Sequence, residues 1–141
     1  MKQSLLLLFA LFFMTSSTTI EPDTRLIDYL GADKVAIMQK NNPSLIHYYN
    51  FFLDNSYSIE TVPADKLQGN NFEELSLPLS GGEVDTKVLN VLKLNIQRKY
   101  DENIYYKIKG SDQIFIMLSE EVFIKKYNKY RKENGLMDQS L

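Results

Sequence analysis

The chain has 141 residues, a formal net charge of −2 and no cysteine. Its apolar share of 44% and charged share of 24% are those of a globular domain, and the length is that of one such domain. The missing cysteine excludes disulfides, thiolate metal sites, cysteine nucleophiles and a lipid-modified N-terminal cysteine, and without a basic excess nucleic acid is not an expected partner.

The opening stretch, "MKQSLLLLFALFFMTSSTT", places Lys2 before an apolar run from Leu5 to Met14 and then small hydroxyl residues. That order predicts a secretory signal peptide. The run is too short to stay in a bilayer as a spanning helix, which takes about 20 residues. Residues 1–17 are the expected signal, with cleavage after Ser17 and Thr19 as the alternative site. A single domain over residues 18–141 follows, with no stable membrane insertion. It is expected in the periplasm or outside the cell, and an exported protein without disulfides suits a bacterial envelope.

Three helices are predicted next. Asp23 or Thr24 caps the first and Gly31 ends it; Asp33 begins the second, which carries Val35, Ile37 and Met38. The pair Asn42-Pro43 begins the third, because Asn accepts from an orphan amide and proline wastes no donor at the first helical position. At 100° per residue, Leu45, Ile46, Tyr49, Phe52 and Leu53 form one apolar arc with Tyr48 on its flank. His47 and Phe51 point the other way, one turn apart. Phe51 is then either covered by the first two helices or exposed as an anchor for a partner.

"YSIETV" (Tyr57 to Val62) reads as a strand ended by Pro63. The polar, glycine-broken stretch from Ala64 to Thr86 reads as a loop with a short extended piece near Leu75 to Leu79. "VLNVLKLNIQR" alternates Leu92, Leu94 and Ile96 with Lys93, Asn95 and Gln97, which predicts a half-buried strand. "IYYKIK" sets Ile104, Tyr106 and Ile108 against Tyr105, Lys107 and Lys109. "QIFIMLS" is apolar on both faces and predicts a strand covered on both sides. These three make an antiparallel meander, with Tyr105, Lys107 and Lys109 beside Lys93, Asn95 and Gln97. Ser119 caps a last helix with Glu120 and Glu121 in its first turn, a buried stripe of Phe123, Tyr127 and Tyr130, and Gly135 at its end. The fold class is α+β: N-terminal helices on a mainly antiparallel sheet, with a C-terminal helix.

Catalytic signatures are sparse. The single histidine, His47, cannot assemble a zinc site, and no Gly-x-Ser-x-Gly elbow, calcium loop or phosphate loop is present. Glu73, Glu74, Glu83 and Asp85 could serve a glycan hydrolase as paired carboxylates, though adjacent acids in a polar loop are ordinarily solvated. The basic stretch Lys125 to Lys132 reads as a solvated helix face whose lysines complement the helix dipole. No enzymatic activity and no cofactor is expected. The candidate partner-binding residues are His47 and Phe51 on the third helix, with Tyr105 and Lys107 on the sheet.

Two stretches, "YLGADKVAIMQKNNPSLIHYYNFFLDNSYSI" and "LNIQRKYDENIYYKIKGSDQIFIMLSEEVFIKKYN", resemble small exported proteins of Bacteroidota. The resemblance carries no catalytic motif. It implies a bacterial envelope setting, beside machinery such as type IX secretion or gliding systems; without a recognisable C-terminal sorting domain, the chain is not expected to be a cargo of that route. The expected function is a non-enzymatic periplasmic or exported binding or accessory module that contacts another envelope protein. The alternatives are a structural subunit of an envelope machine and a small envelope hydrolase using the loop carboxylates.

Overall fold

A computed structural model describes residues 19–68 and 70–137. The expected signal peptide and its cleavage sites up to Ser17 lie outside them. Among the described residues no helix is long and apolar enough to cross a membrane. The architecture is α+β, with helices α1 (Thr24–Leu30), α2 (Ala32–Asn41) and α3 (Pro43–Asn55), then strand β1 (Tyr57–Thr61) and a short helix α4 (Ala64–Gln68). Strands β2 (Glu73–Leu75), β3 (Leu79–Ser80), β4 (Glu83–Val84), β5 (Ile104–Ile108) and β6 (Gln113–Met117) follow, and helix α5 (Glu120–Glu133) closes the fold.

The helix starts follow the sequence closely. The Asp23 carboxylate accepts from the Arg25 N–H at 2.8 Å, and the Ser119 hydroxyl accepts from the Val122 N–H at 3.3 Å. Asn42 precedes Pro43 as expected, but its side-chain oxygen takes the Ser44 hydroxyl and not an orphan amide. Ile37 of α2, expected among its apolar positions, is exposed.

The main sheet has the order β1-β6-β5-β2, and a separate two-stranded hairpin joins β3 to β4. β1 and β5 both lie antiparallel to β6, whereas β2 lies parallel to β5. The β3–β4 turn is Gly81-Gly82, with φ of 62° and 85°, the left-handed pair that a two-residue hairpin turn needs.

This corrects the expected meander. Residues 91–97 form no strand: Val91–Leu94 is a 3₁₀ turn, and the flank of β5 is taken by β2. The Asn90 side chain accepts from the Leu92 N–H at 3.2 Å and donates to the Arg25 C=O at 2.8 Å, which ties the segment to α1. Asn95 then adopts the left-handed conformation (φ 54°), which breaks any extended run. Leu92, Leu94 and Ile96 are still half-buried between exposed Lys93, Asn95 and Gln97. The alternation reported burial and not strand pairing. Lys93, Asn95 and Gln97 therefore do not flank Tyr105 and Lys107 in the sheet.

The inner face of the sheet carries Phe115 and Met117 from β6 and Ile108 from β5, packed on Leu26, Val35, Ile46 and Leu53 of α1–α3. The outer face carries Ile114 and Ile116 from β6, followed by Leu118, packed on Leu67 of α4. β6 is thus covered on both sides, as its sequence predicts. Helix α4 lies where the sequence reads as loop; five residues are too few for a helical period to show.

Candidate functional site

The α3 residues single out a ring cluster between α3 and α5. Phe51 lies 5.8, 5.4 and 4.7 Å from the rings of Phe123, Tyr127 and Tyr130. Tyr48 meets Phe123 and Tyr127 edge-on at 5.7 and 5.3 Å. Phe51 is half-buried, and its three ring contacts are all with α5. Burial pushes the phenols of Tyr48 and Tyr127 above their ordinary pKa. The guanidinium of Arg98 sits 5.0 Å over Phe52 and 4.7 Å over Phe123, a cation–π position. Its Nη1 is buried with no hydrogen-bond partner among the described residues. No local pattern marks Arg98, since its ring partners Phe52 and Phe123 are far from it along the chain.

His47 is half-buried on α3. Burial lowers its pKa from 6.5, and its Nδ1 is enclosed without a partner among the described residues. Among the described residues no side-chain hydrogen bond or ion pair joins the imidazole to a carboxylate or a hydroxyl.

Tyr105 and Lys107 lie on the outer sheet face. In register, Ser58, Ile116 and Tyr105 form one row across β1, β6 and β5; Glu60, Ile114, Lys107 and Glu74 form the next, which reaches β2. Tyr105 is 41% exposed, and its ring stacks on Phe72 at 5.8 Å with 23° between planes. Lys107 is half-buried opposite Glu74. Tyr105 lies opposite Ile116 of the outer-face core in register. The structure thus keeps Tyr105 and Lys107 together and separates them from His47 and Phe51, which lie on a helix of the inner side.

The four loop carboxylates do not gather at one site. Glu73 and Glu74 are neighbours on β2, so their side chains leave opposite faces of the sheet. Glu83 and Asp85 line a separate depression of about 310 Å³ with Ser80, Val84, Thr86 and Lys87. Among the described residues no group of three or more His, Asp or Glu side chains could hold a metal ion.

A second polar site was not foreseen. Arg25 donates from Nη2 to Asp23 at 2.8 Å and to Asp54 at 2.7 Å, and from Nη1 to the Leu89 C=O at 3.3 Å. These contacts hold the Asp23 carboxyl below its usual pKa, chiefly through the hydrogen bond from Arg25. They form one wall of a groove of about 650 Å³, whose other walls are Tyr57, Ser58 and Ile59 of β1, with Thr86 and Lys87. Comparison with family models, curated proteins and solved structures finds no match to this chain.

Proposed function

We propose that the chain is a non-enzymatic binding or accessory module of a bacterial envelope, which contacts another envelope protein through the outer face of its sheet. The observation that carries this reading is the Tyr105–Phe72 stack, a rigid pair of rings with Tyr105 41% exposed and Lys107 next on the same strand face. Exposed aromatic residues supported from below are the usual energetic centres of protein interfaces, because they bury large area at little cost in side-chain entropy. The export setting rests on the signal-like N-terminus and on the resemblance to small exported proteins. Phe51 is already packed on α5 and contributes less open ring surface than Tyr105 does, so the sheet face is the better candidate.

A photo-crosslinking residue in place of Tyr105, in cells that export the protein, tests the reading. The expected result is one dominant crosslinked partner in the envelope fraction, absent when the same residue replaces the exposed Tyr100. Equal labelling from both positions, or none from Tyr105, would remove the sheet face as an interface.

A further inference from the structure

The outer edge of β1 is the other surface built for contact. Two hydrogen bonds fix which of its backbone groups are free: the Leu118 N–H donates to the Ser56 C=O, and the Val62 N–H to the Asp112 C=O, each at 3.0 Å. The register between them is unbroken, from Tyr57 opposite Met117 to Thr61 opposite Gln113. In an antiparallel ladder alternate residues turn both backbone groups to the partner strand. Ser58 and Glu60 therefore bond to β6, and Tyr57, Ile59 and Thr61 direct their N–H and C=O groups outward. Among the described residues no strand lies on that side.

Natural edges are usually blunted by shortness, lysine, proline or a bulge. β2, at the other end of the sheet, is three residues long and carries Glu73 and Glu74. β1 has five residues, no proline, no lysine and no bulge; its one charged residue, Glu60, lies on the outer face. On the inner side, the groove of about 650 Å³ runs along Tyr57, Ser58 and Ile59. Of its charged side chains, Arg25 is already shared between Asp23 and Asp54. The lining holds two carboxylates, Asp23 and Asp54, and two cations, Arg25 and Lys87, and among the described residues Lys87, which is exposed, is the one of the four without an ion pair.

We propose that β1 accepts an extended segment of another protein as a fifth strand, bonded to the backbone of Tyr57, Ile59 and Thr61, with an acidic side chain of that segment meeting Lys87. This is strand addition, in which the backbone supplies affinity and alternate side chains supply selectivity. A second copy of the chain fits less well. Two-fold pairing about Ile59 would send Tyr57, Ile59 and Thr61 of the copy toward the groove, and none is acidic. A five-residue strand contact also falls short of the roughly 800 Å² per partner of a stable dimer. The proposal does not depend on the Tyr105 face, which lies on the other side of the sheet.

The test uses the protein with dye-labelled nonapeptides of alternating Thr and Val that carry one Glu, Gln or Lys, read by fluorescence anisotropy. The Glu peptide should bind about fivefold more tightly than the Lys peptide, the scale of one exposed ion pair, and Lys87→Glu should invert that order. N-methylation of one alternate set of peptide amides should abolish binding, while methylation of the other set leaves it intact. Amide exchange at Tyr57, Ile59 and Thr61 should slow in the complex. Absence of binding at millimolar peptide, indifference to N-methylation, or equal affinity for the Glu and Lys peptides would overturn the proposal. So would a concentration-dependent dimer of the free protein that protects the same three amides.

Discussion

The rings of Phe51 and Tyr130 lie 4.7 Å apart with 33° between their planes. This contact, with those to Phe123 and Tyr127, joins α3 to α5, two helices that lie far apart in the chain. Its role is cohesive, and truncation should be read in stability. Phe51→Leu is expected to cost about 1–2 kcal/mol, less than a fully buried aromatic would, because both rings are half-buried. A double-mutant cycle with Tyr130→Leu in urea denaturation should return a coupling of about 1 kcal/mol, the usual worth of an aromatic pair beyond its buried area. A coupling near zero would mean that α5 is not held by these rings.

Arg25 ties three parts of the chain together: the cap of α1, the end of α3 and the loop at Leu89. Its side chain is only 13% exposed, whereas Asp54 is 62% exposed, so most of the energy lies in the Asp23 contact. Arg25→Met should destabilise by about 2 kcal/mol. Asp23→Asn keeps a good capping residue and removes only the charge. Because the carboxyl pKa is lowered on folding, its contribution is complete above the ordinary value of 3.8 and fades as pH falls through the lowered one. The stability gap between wild type and Asp23→Asn, measured by denaturation from neutral pH downward, should therefore close in acid.

His47 also costs stability in acid, but through burial of a neutral ring and not through loss of an ion pair. Its pKa is lowered by burial, so the unfolded chain takes up a proton near pH 6.5 before the folded chain does. Stability then falls as pH drops below 6.5, and the penalty is complete once the folded imidazole is also charged. His47→Gln removes the titration. The variant should match or exceed wild type at pH about 5 and lose that advantage near pH 7.5, where both forms are neutral. Thermal midpoints at the two pH values check this; a difference that does not change with pH would mean that the imidazole is fully solvated.

All helices but the five-residue α4 were legible because their signals are local: Asp23 and Ser119 as caps, Pro43 at the first helical position, and stripes at helical spacing. So was the two-sided burial of β6, which follows from an unbroken apolar run. What failed depends on distant partners. Leu92, Leu94 and Ile96 alternate as a strand would, but Asn90 anchors to α1 and Asn95 turns left-handed, so β2 takes the place beside β5. Helical spacing sets Phe51 apart from the arc that holds Phe52, yet both meet Phe123 of α5, a contact that no local pattern could indicate. Tyr105 and Lys107 were found together because alternation alone puts them on one face. The Arg25 cluster was missed because its members, Asp23, Asp54 and Leu89, are scattered along the sequence.

The register of β1 makes a sharp prediction about proline. Glu60 and Thr61 are adjacent, exposed and both extended, so a proline ring meets much the same local backbone at either position. They differ in where the N–H points. At Glu60 it belongs to the ladder with β6, and its loss leaves a carbonyl of buried Ile114 unpaired, at a cost of about 1–3 kcal/mol. At Thr61 it faces outward, where an edge strand tolerates proline. Glu60→Pro should therefore lower stability by that amount, and Thr61→Pro by less than about 1 kcal/mol. A one-residue slip of the strand would invert the order, since it exchanges inward and outward groups along the whole of β1. The same Thr61→Pro variant removes one of the three outward donors while keeping the fold. Its affinity for an added strand should fall while its denaturation midpoint changes little, and that separation distinguishes a docking edge from a merely structural one.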